Sequence, residues 1–329
     1  MNSTATASTF DRYTGGILNT RRHSASIKTR AAELGFDACA VAAVTTIDPE
    51  DLLGRWLAQG FHADMDWMVR TKAIRQDVLK RLPGSRSVVV VARNYNSPRP
   101  LAEPGTGRIS RYAWGRDYHR VLRRPLRALA AHIESLDEHV DTYCCIDSGP
   151  VLEKFWAARA GLGWLGKNSL VLRQDLGSWF FLGVILTTLE AAADAPAQDL
   201  CGTCTRCIDA CPTGAIVAPH VVDSRRCISY HTIENHGEVP KELQRHFGDW
   251  VFGCDICQEA CPWNGGVPAT SETDFHPRQG HACPPLELFE EMDEEGFREE
   301  FAGTPIMRAK LAGLRRNARI ARRNERDNG

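Results

Sequence analysis

No stretch of the chain is apolar for long enough to cross a bilayer as a helix. The longest hydrophobic runs, at 87–92 and 179–186, end far short of the roughly 20 residues that a span needs. This excludes an integral membrane protein of the helical kind, and no membrane partner is expected. An export signal is missing as well: Arg21 and Arg22 form a twin-arginine pair, but His23, Ser24, Ala25 and Ser26 follow where an apolar core would have to stand. The expected location is therefore the cytoplasm. Net charge is almost absent, −1 over 329 residues. With 43% hydrophobic and 25% charged residues, the chain has the apolar content to bury a substantial core and is not a disordered polyelectrolyte. Its length leaves room for about two domains.

One further absence is more specific. Cys201, Cys204, Cys207, Cys211 and Pro212 follow the C-x-x-C-x-x-C-x-x-x-C-P spacing of bacterial two-cluster ferredoxins, and Cys254, Cys257, Cys261 and Pro262 repeat it without its opening cysteine. Two four-iron clusters need about eight thiolates, and the two motifs fall one short. Cys227, which lies between them, is the economical replacement. The interleaved pattern then places Cys201, Cys204, Cys207 and Cys261 on one 4Fe-4S cluster, and Cys211, Cys227, Cys254 and Cys257 on the other. Structural zinc also uses C-x-x-C pairs, and secreted chains use cysteine for disulfides. Zinc, however, has no use for two interleaved C-x-x-x-C-P ends, and disulfides require an oxidising compartment that nothing else in the chain supports. Cys39, Cys144, Cys145 and Cys283 have no cluster spacing and read as small apolar core residues.

The near-zero net charge hides an uneven distribution. Residues 70–127 carry 15 Lys and Arg against 3 acidic residues, and 307–329 carry 8 against 2. A single charge run is usually a solvated helix face, but two in a near-neutral chain point to a polyanionic partner, whose phosphates would release counterions on binding. Tyr112, Trp114 and Tyr118, interleaved with arginines, are placed to stack on bases or on a flat cofactor. Along the chain, 1–22 is rich in Ser and Thr and reads as a loose arm before a helix at 24–34. Strands are expected at 38–44, 87–93 and 140–146, and helices at 49–59 and 118–136. A loop at 97–107 and a linker at 191–198 follow, then an acidic helical stretch at 286–301 and a basic helix at 307–323. Alternating strands and helices argue for an α/β or α+β layer.

Gly161, Gly163 and Gly166 match G-x-G-x-x-G, but residues 153–160 before them have helical rather than strand character. The dinucleotide reading therefore lacks its context. The better reading is a helix that ends at Gly161 and turns through glycines, presenting Lys167 and Asn168 at its edge.

The run Ala113-Trp114-Gly115-Arg116-Asp117-Tyr118-His119, then Asp147-Ser148-Gly149-Pro150-Val151-Leu152-Glu153, the Gly161 to Asn168 segment and the two cysteine motifs follow one another in an order that closely resembles the epoxyqueuosine reductases. Gly303-Thr304-Pro305 and Arg316-Asn317-Ala318 extend the resemblance, which covers about 25–325. It implies an α+β protein made of a reductive-dehalogenase-like, cobalamin-binding α/β layer domain at 23–194 behind the arm at 1–22, a ferredoxin-like domain with two 4Fe-4S clusters at 195–270, and a short, basic, tRNA-contacting helical segment at 271–329. The implied activity is the last step of queuosine biosynthesis: epoxyqueuosine at the wobble position of a tRNA with a GUN anticodon is reduced to queuosine by cob(I)alamin fed through the two clusters. The implied cofactor is cobalamin with its lower base displaced. In agreement, no D-x-H-x-x-G motif is present, since neither Asp117-x-His119 nor Asp274-x-His276 is followed by glycine in register.

By the same resemblance, Asp147 is the proton donor, its carboxyl desolvated beside the corrin. Arg70, Ser110, Val171, Leu182, Ile228 and Asp255, with Asp147, fall at corrin-contacting positions. Ser110 stands where some relatives have cysteine, which removes any essential thiol there. Lys241, Arg245, Arg315, Arg316 and Arg319 are the candidate tRNA contacts. A low-potential donor of the ferredoxin or flavodoxin type is the expected electron source, and a monomer is the simplest state. Two other functions compete: a dehalogenase-like corrinoid enzyme acting on a small molecule, and a non-catalytic iron-sulfur electron-transfer subunit.

Overall fold

The computed structural model describes residues 7–48, 50–278 and 280–328. Its centre is a four-stranded antiparallel sheet in the order Ala38–Ala43, Ser87–Asn94, Phe180–Thr187, Thr142–Cys145. Val41 lies opposite Val89, Val90 opposite Val184, and Cys144 opposite Ile185. The run from Val88 to Ala92 is wholly buried because both faces of the sheet are covered. On one face Val89, Val91 and Ile185 pack against Ile27 and Ala31 of the helix Ala7–Glu33 and against Leu122, Leu126 and Leu129 of the helix Tyr118–Glu134. On the other, Val88, Val90 and Val184 meet Trp156 and Ala157 of the helix Glu153–Arg159. Covering both faces turns the usual strand alternation into a continuous apolar run, and at about 25 cal/mol per Å² of buried apolar surface this packing is the main stabilising contribution.

The three expected strands are present. The fourth, Phe180–Thr187, was legible only as an apolar stretch. The helix expected at 24–34 begins earlier, at Ala7, so residues 7–22 of the expected loose arm are helical; residues 1–6 lie outside the described residues. Ser and Thr do not break a helix whose later turns are held by the sheet. The backbone of Ala192 donates to Thr20 O at 3.0 Å, and His23 Nδ1 lies 2.9 Å from Glu190 O.

The cysteine-bearing region contains two short helical turns, Arg206–Asp209 and Ile256–Glu259, which carry Cys207 and Cys257 at equivalent places. It is stitched to the N-terminal layer by a parallel pair, Trp250–Phe252 with Arg108–Ile109. Around this pair the C-terminal residues build a further core in which Trp114, Phe252, Phe289, Phe301 and Leu314 are buried.

Three expectations are corrected here. Trp114 is fully buried, with its indole N–H on Ile109 O at 2.8 Å, so it cannot stack on a base. The stretch at 286–301 is two helices, Leu286–Glu291 and Glu294–Phe301, because the Asp293 carboxylate accepts from Gly296 N and starts a new helix. The basic helix spans Lys310–Asn328, after a 3₁₀ segment Pro305–Ala309 and a positive φ of 58° at Lys310.

Candidate active site

Asp147 sits in the loop between the edge strand Thr142–Cys145 and the helix Glu153–Arg159. Its φ of 57° places it in the left-handed region, which Asp tolerates better than most side chains and which recurs where a loop serves function. Two residues later, Gly149 lies so close to the strand that a Cβ there would stand 2.5 Å from Cys145 Sγ and 2.8 Å from Tyr143 Oη. The loop can take this course only with glycine. Pro150 does not open the next helix, which starts at Glu153.

Around Asp147 the structure gathers a polar set. The Tyr118 hydroxyl donates to Asp147 Oδ2 at 2.7 Å, and His119 Nε2 lies 3.8 Å from the same oxygen. His119 Nδ1 meets Asp117 Oδ1 at 2.8 Å; hydrogen bonds from His119 hold the Asp117 carboxyl below the ordinary carboxylate range even though its partial burial acts the other way. The Tyr118 ring stacks on Phe181, with centroids 4.3 Å apart, and meets Tyr112 edge-on. Burial and the charge of Asp147 push both tyrosine hydroxyls up, so they remain protonated donors. The Asp147 side chain itself is 69% exposed; any desolvation of its carboxyl must come from what covers it in use.

Lys154 completes the set and was not anticipated. Its side chain is open to solvent, and the neighbouring protein lowers its pKa by desolvation, against the opposing charges of Asp147, Glu153, Cys257 and Cys227. It stands in the first turn of the helix Glu153–Arg159, directly after the Asp147 loop. Beneath the loop, Glu153 accepts from Cys145 Sγ at 3.0 Å, and burial raises its pKa to about 7.

Four of the candidate ligand cysteines share one cavity. Cys201, Cys204, Cys207 and Cys261 line one cavity with Lys167, Asn168, Leu172 and Trp263. Lys167 Nζ fixes its wall by donating to Gly202 O at 2.7 Å and to Cys204 O at 2.9 Å, and Asn168 reaches Cys257 O. In the other set, Cys257 senses the charges of Cys227 and Cys211, and Cys254 those of Cys257 and Cys227; burial pushes these thiols up. The donor chemistry suits iron-sulfur cubanes, since four thiols face one apolar-walled cavity and the main-chain N–H of Ala215 donates to Cys211 Sγ at 3.3 Å. Burial likewise pushes the unassigned Cys39 up to about 12 and Cys144 up to about 11, which suits their reading as inert core residues.

The other expected site residues are distributed as follows. Ser110 and Asp255 come together, but with each other: Ser110 Oγ donates to Asp255, whose fully buried carboxylate also accepts from Arg111 N and the Arg99 guanidinium. Their side chains are thereby committed to internal partners, and their backbone also bonds inside the protein, with Ser110 N on Phe252 O at 2.8 Å and Gln258 N on Asp255 O at 2.9 Å. Val171 and Ile228 are packed in the core, Leu182 is half-buried on the central strand, and Arg70 is exposed at the end of the helix Trp67–Arg70. Of the basic residues, Arg315 donates to Phe289 O at 3.1 Å and to Met292 O, and Arg316 donates to Asn235 O at 2.8 Å as well as to Gly237 O and His231 O. These two guanidiniums hold the C-terminal core together. Lys241, Arg245 and Arg319 are exposed.

A family model described as "4Fe-4S double cluster binding domain" matches residues 200–264, and one described as "Epoxyqueuosine reductase QueG, DUF1730" matches 75–148. An epoxyqueuosine reductase of Gloeobacter violaceus is 46% identical over 305 residues, which cover 91% of this chain and 95% of the relative. The solved epoxyqueuosine reductase of Bacillus subtilis, described with its aspartate-bearing catalytic loop swung out of the active site, aligns with a TM-score of 0.83 at 29% identity over 92% of this chain and 81% of its own. An epoxyqueuosine reductase solved with an epoxyqueuosine-modified tRNA stem loop aligns with a TM-score of 0.82 at 29% identity, over the same shares of the two chains.

Proposed function

The chain belongs to the epoxyqueuosine reductase family, and on that premise we propose that it reduces epoxyqueuosine at the wobble position of tRNA to queuosine, with Asp147 as the proton donor to the departing oxygen. The change consumes two electrons and two protons: both carbon–oxygen bonds of the epoxide break, a carbon–carbon double bond forms, and the oxygen leaves as water. One observation carries the reading. The carboxylate of Asp147, oriented by Tyr118 and flanked by His119, lies on the loop that leads into the helix of Lys154, whose ammonium is favoured by the charges of Asp147, Cys257 and Cys227.

A proton donor and a set of cluster cysteines whose charges act on one lysine suit a redox group held between them, and the surrounding residues suit cobalamin. The Lys154 ammonium and the free Arg70 guanidinium would meet amide oxygens on the corrin rim, and Ser110, Ile228 and Asp255 would approach it beside the second cluster. When bound, the corrin would supply a strongly reducing metal nucleophile, and the two clusters, refilled by a ferredoxin- or flavodoxin-type donor, would supply its electrons. The protein's own work is positional and protonic. Tyr118 holds one carboxylate oxygen so that the other faces the substrate. His119, itself fixed by Asp117, stands within reach of the same oxygen to replace the proton that Asp147 gives up. A covering substrate and corrin would remove water from the exposed carboxylate. No described helix is long and apolar enough to cross a membrane; a cytoplasmic monomer acting on tRNA is the simplest state in keeping with this.

The test is Asp147→Asn, assayed on epoxyqueuosine-containing tRNA with cobalamin and both clusters loaded. Turnover should fall by about 10² to 10⁴, the usual contribution of a general acid, while the cluster and corrin absorption bands keep their wild-type intensities. Unchanged turnover removes Asp147 from the chemistry.

A further inference from the structure

The basic run at 70–127 divides once each side chain's partners are assigned. Arg86, Arg93, Arg99, Arg108 and Arg116 are ion-paired to Glu190, Glu272, Asp255, Asp249 and Asp274. Arg120, Arg123, Arg124 and Arg127 are all exposed, and no hydrogen-bond or ion-pair partner is found for them among the described residues. The four lie on one helix, Tyr118–Glu134, at offsets of three and four residues, so they form a single stripe rising about 5–6 Å per turn. The opposite face of that helix is the apolar one that packs on the sheet.

Beside the stripe runs a groove of about 460 Å³ between this helix and the edge strand Thr142–Cys145. His119, Arg123 and Arg127 line it from the helix; Tyr143, Cys144 and Ser148 line it from the strand and the loop. Ser148 directly follows Asp147, so one end of the groove opens at the proton donor. At the other end Glu134, held by the Thr142 hydroxyl at 2.5 Å, brings in a negative charge and closes the basic stretch. Four unneutralised cations beside an open groove that starts at the reacting carboxylate carry a strong bias toward a polyanion in that channel.

We propose that this groove receives the phosphodiester strand of the RNA adjacent to the nucleotide presented to Asp147, with Arg123 and Arg127 on its phosphates and the stripe continuing through Arg120 and Arg124. The inference rests on the reading of this site as one that acts on tRNA. It shifts the main RNA contact from the C-terminal helix, whose Arg315 and Arg316 are bonded internally, to the helix beside the active loop. Phosphate contacts of this kind fix the register of the strand, and so determine which nucleotide reaches Asp147, without reading bases.

The experiment is a salt titration of binding between the cluster-loaded protein and a synthetic anticodon stem-loop with a GUN anticodon. It compares wild type with Arg123→Ala/Arg127→Ala and with Arg21→Ala/Arg22→Ala, a charge-matched control on another helix. The double groove variant should bind more weakly, and the slope of log affinity against log salt should become shallower by about 1.4, at roughly 0.7 per lost single-strand contact. The control should keep the wild-type slope. Equal slopes for wild type and the groove variant overturn the inference, as does displacement of the stem-loop by polyglutamate as effective as that by unlabelled stem-loop. Turnover of wild type on epoxyqueuosine-containing tRNA, measured alongside, decides the tRNA-reductase reading separately: a wild type that turns over while the groove variant binds normally removes only the groove.

Discussion

Tyr118 and Glu153 stand beside Asp147, the one as its hydrogen-bond donor and the other at the start of the helix that follows its loop. Tyr118→Phe removes the donor that fixes Asp147 Oδ2 but keeps the ring stacked on Phe181. It should therefore lower the single-turnover rate on modified tRNA while leaving stem-loop affinity unchanged; a rate equal to wild type would show that the carboxylate needs no such holder. Glu153 gives a pH signature. Its buried carboxyl titrates near 7 in the folded chain against 4.5 ordinarily, so between those values the folded state keeps a proton that the unfolded chain has released, and rising pH favours unfolding. The Tm of wild type relative to Glu153→Gln should fall as pH is raised from about 4.5 to 7 and then level off. Parallel curves across that window would mean that Glu153 ionises as freely folded as unfolded. Asp147 itself was legible through its flanking Ser-Gly-Pro, whereas Lys154 was not. Seven residues further on, it looks like any charged residue in the first turn of a helix, and only the fold brings the charges of Cys227 and Cys257 to bear on it.

Elements with strong local signals were read correctly, and those that depend on a partner were not. The strand Ser87–Asn94 was visible as an apolar run, and the helix Tyr118–Glu134 by its apolar period. The pair Arg108–Ile109 with Trp250–Phe252 left no trace in the sequence, because two or three residues joining segments 140 positions apart have no periodicity of their own. Two arginines of the C-terminal basic helix have internal partners that the sequence did not show. Charge counts do not reveal that Arg315 and Arg316 reach main-chain carbonyls at 289, 292, 231, 235 and 237. Arg316→Ala should accordingly cost roughly 0.5–1.5 kcal/mol in urea unfolding, the net range for an intramolecular hydrogen bond, with stem-loop affinity intact. Lost affinity without lost stability would return this side chain to the RNA surface.

At the scale of the whole molecule, the two cysteine motifs lie within residues 201–262, downstream of the layer that carries Asp147. The spacing assigned the thiols to two sets of four, and the fold gathers Cys201, Cys204, Cys207 and Cys261 of one set around a single cavity. Cys204→Ala should disrupt the outer cluster and Cys227→Ala the one whose cysteines act on Lys154, each lowering iron content toward half. Only the loss of Cys227 should also disturb the absorption of bound corrin, because it removes the cluster beside it. Identical corrin spectra in the two variants would place the corrin elsewhere.

The most direct measurement is to reconstitute the protein without oxygen with iron, sulfide and cobalamin, supply a low-potential reductant and epoxyqueuosine-containing tRNA, and analyse the released nucleosides by mass. The account predicts loss of one oxygen, with epoxyqueuosine converted to queuosine in proportion to enzyme and only when cobalamin is present. Nucleosides that leave unchanged from protein holding both clusters and corrin would contradict it.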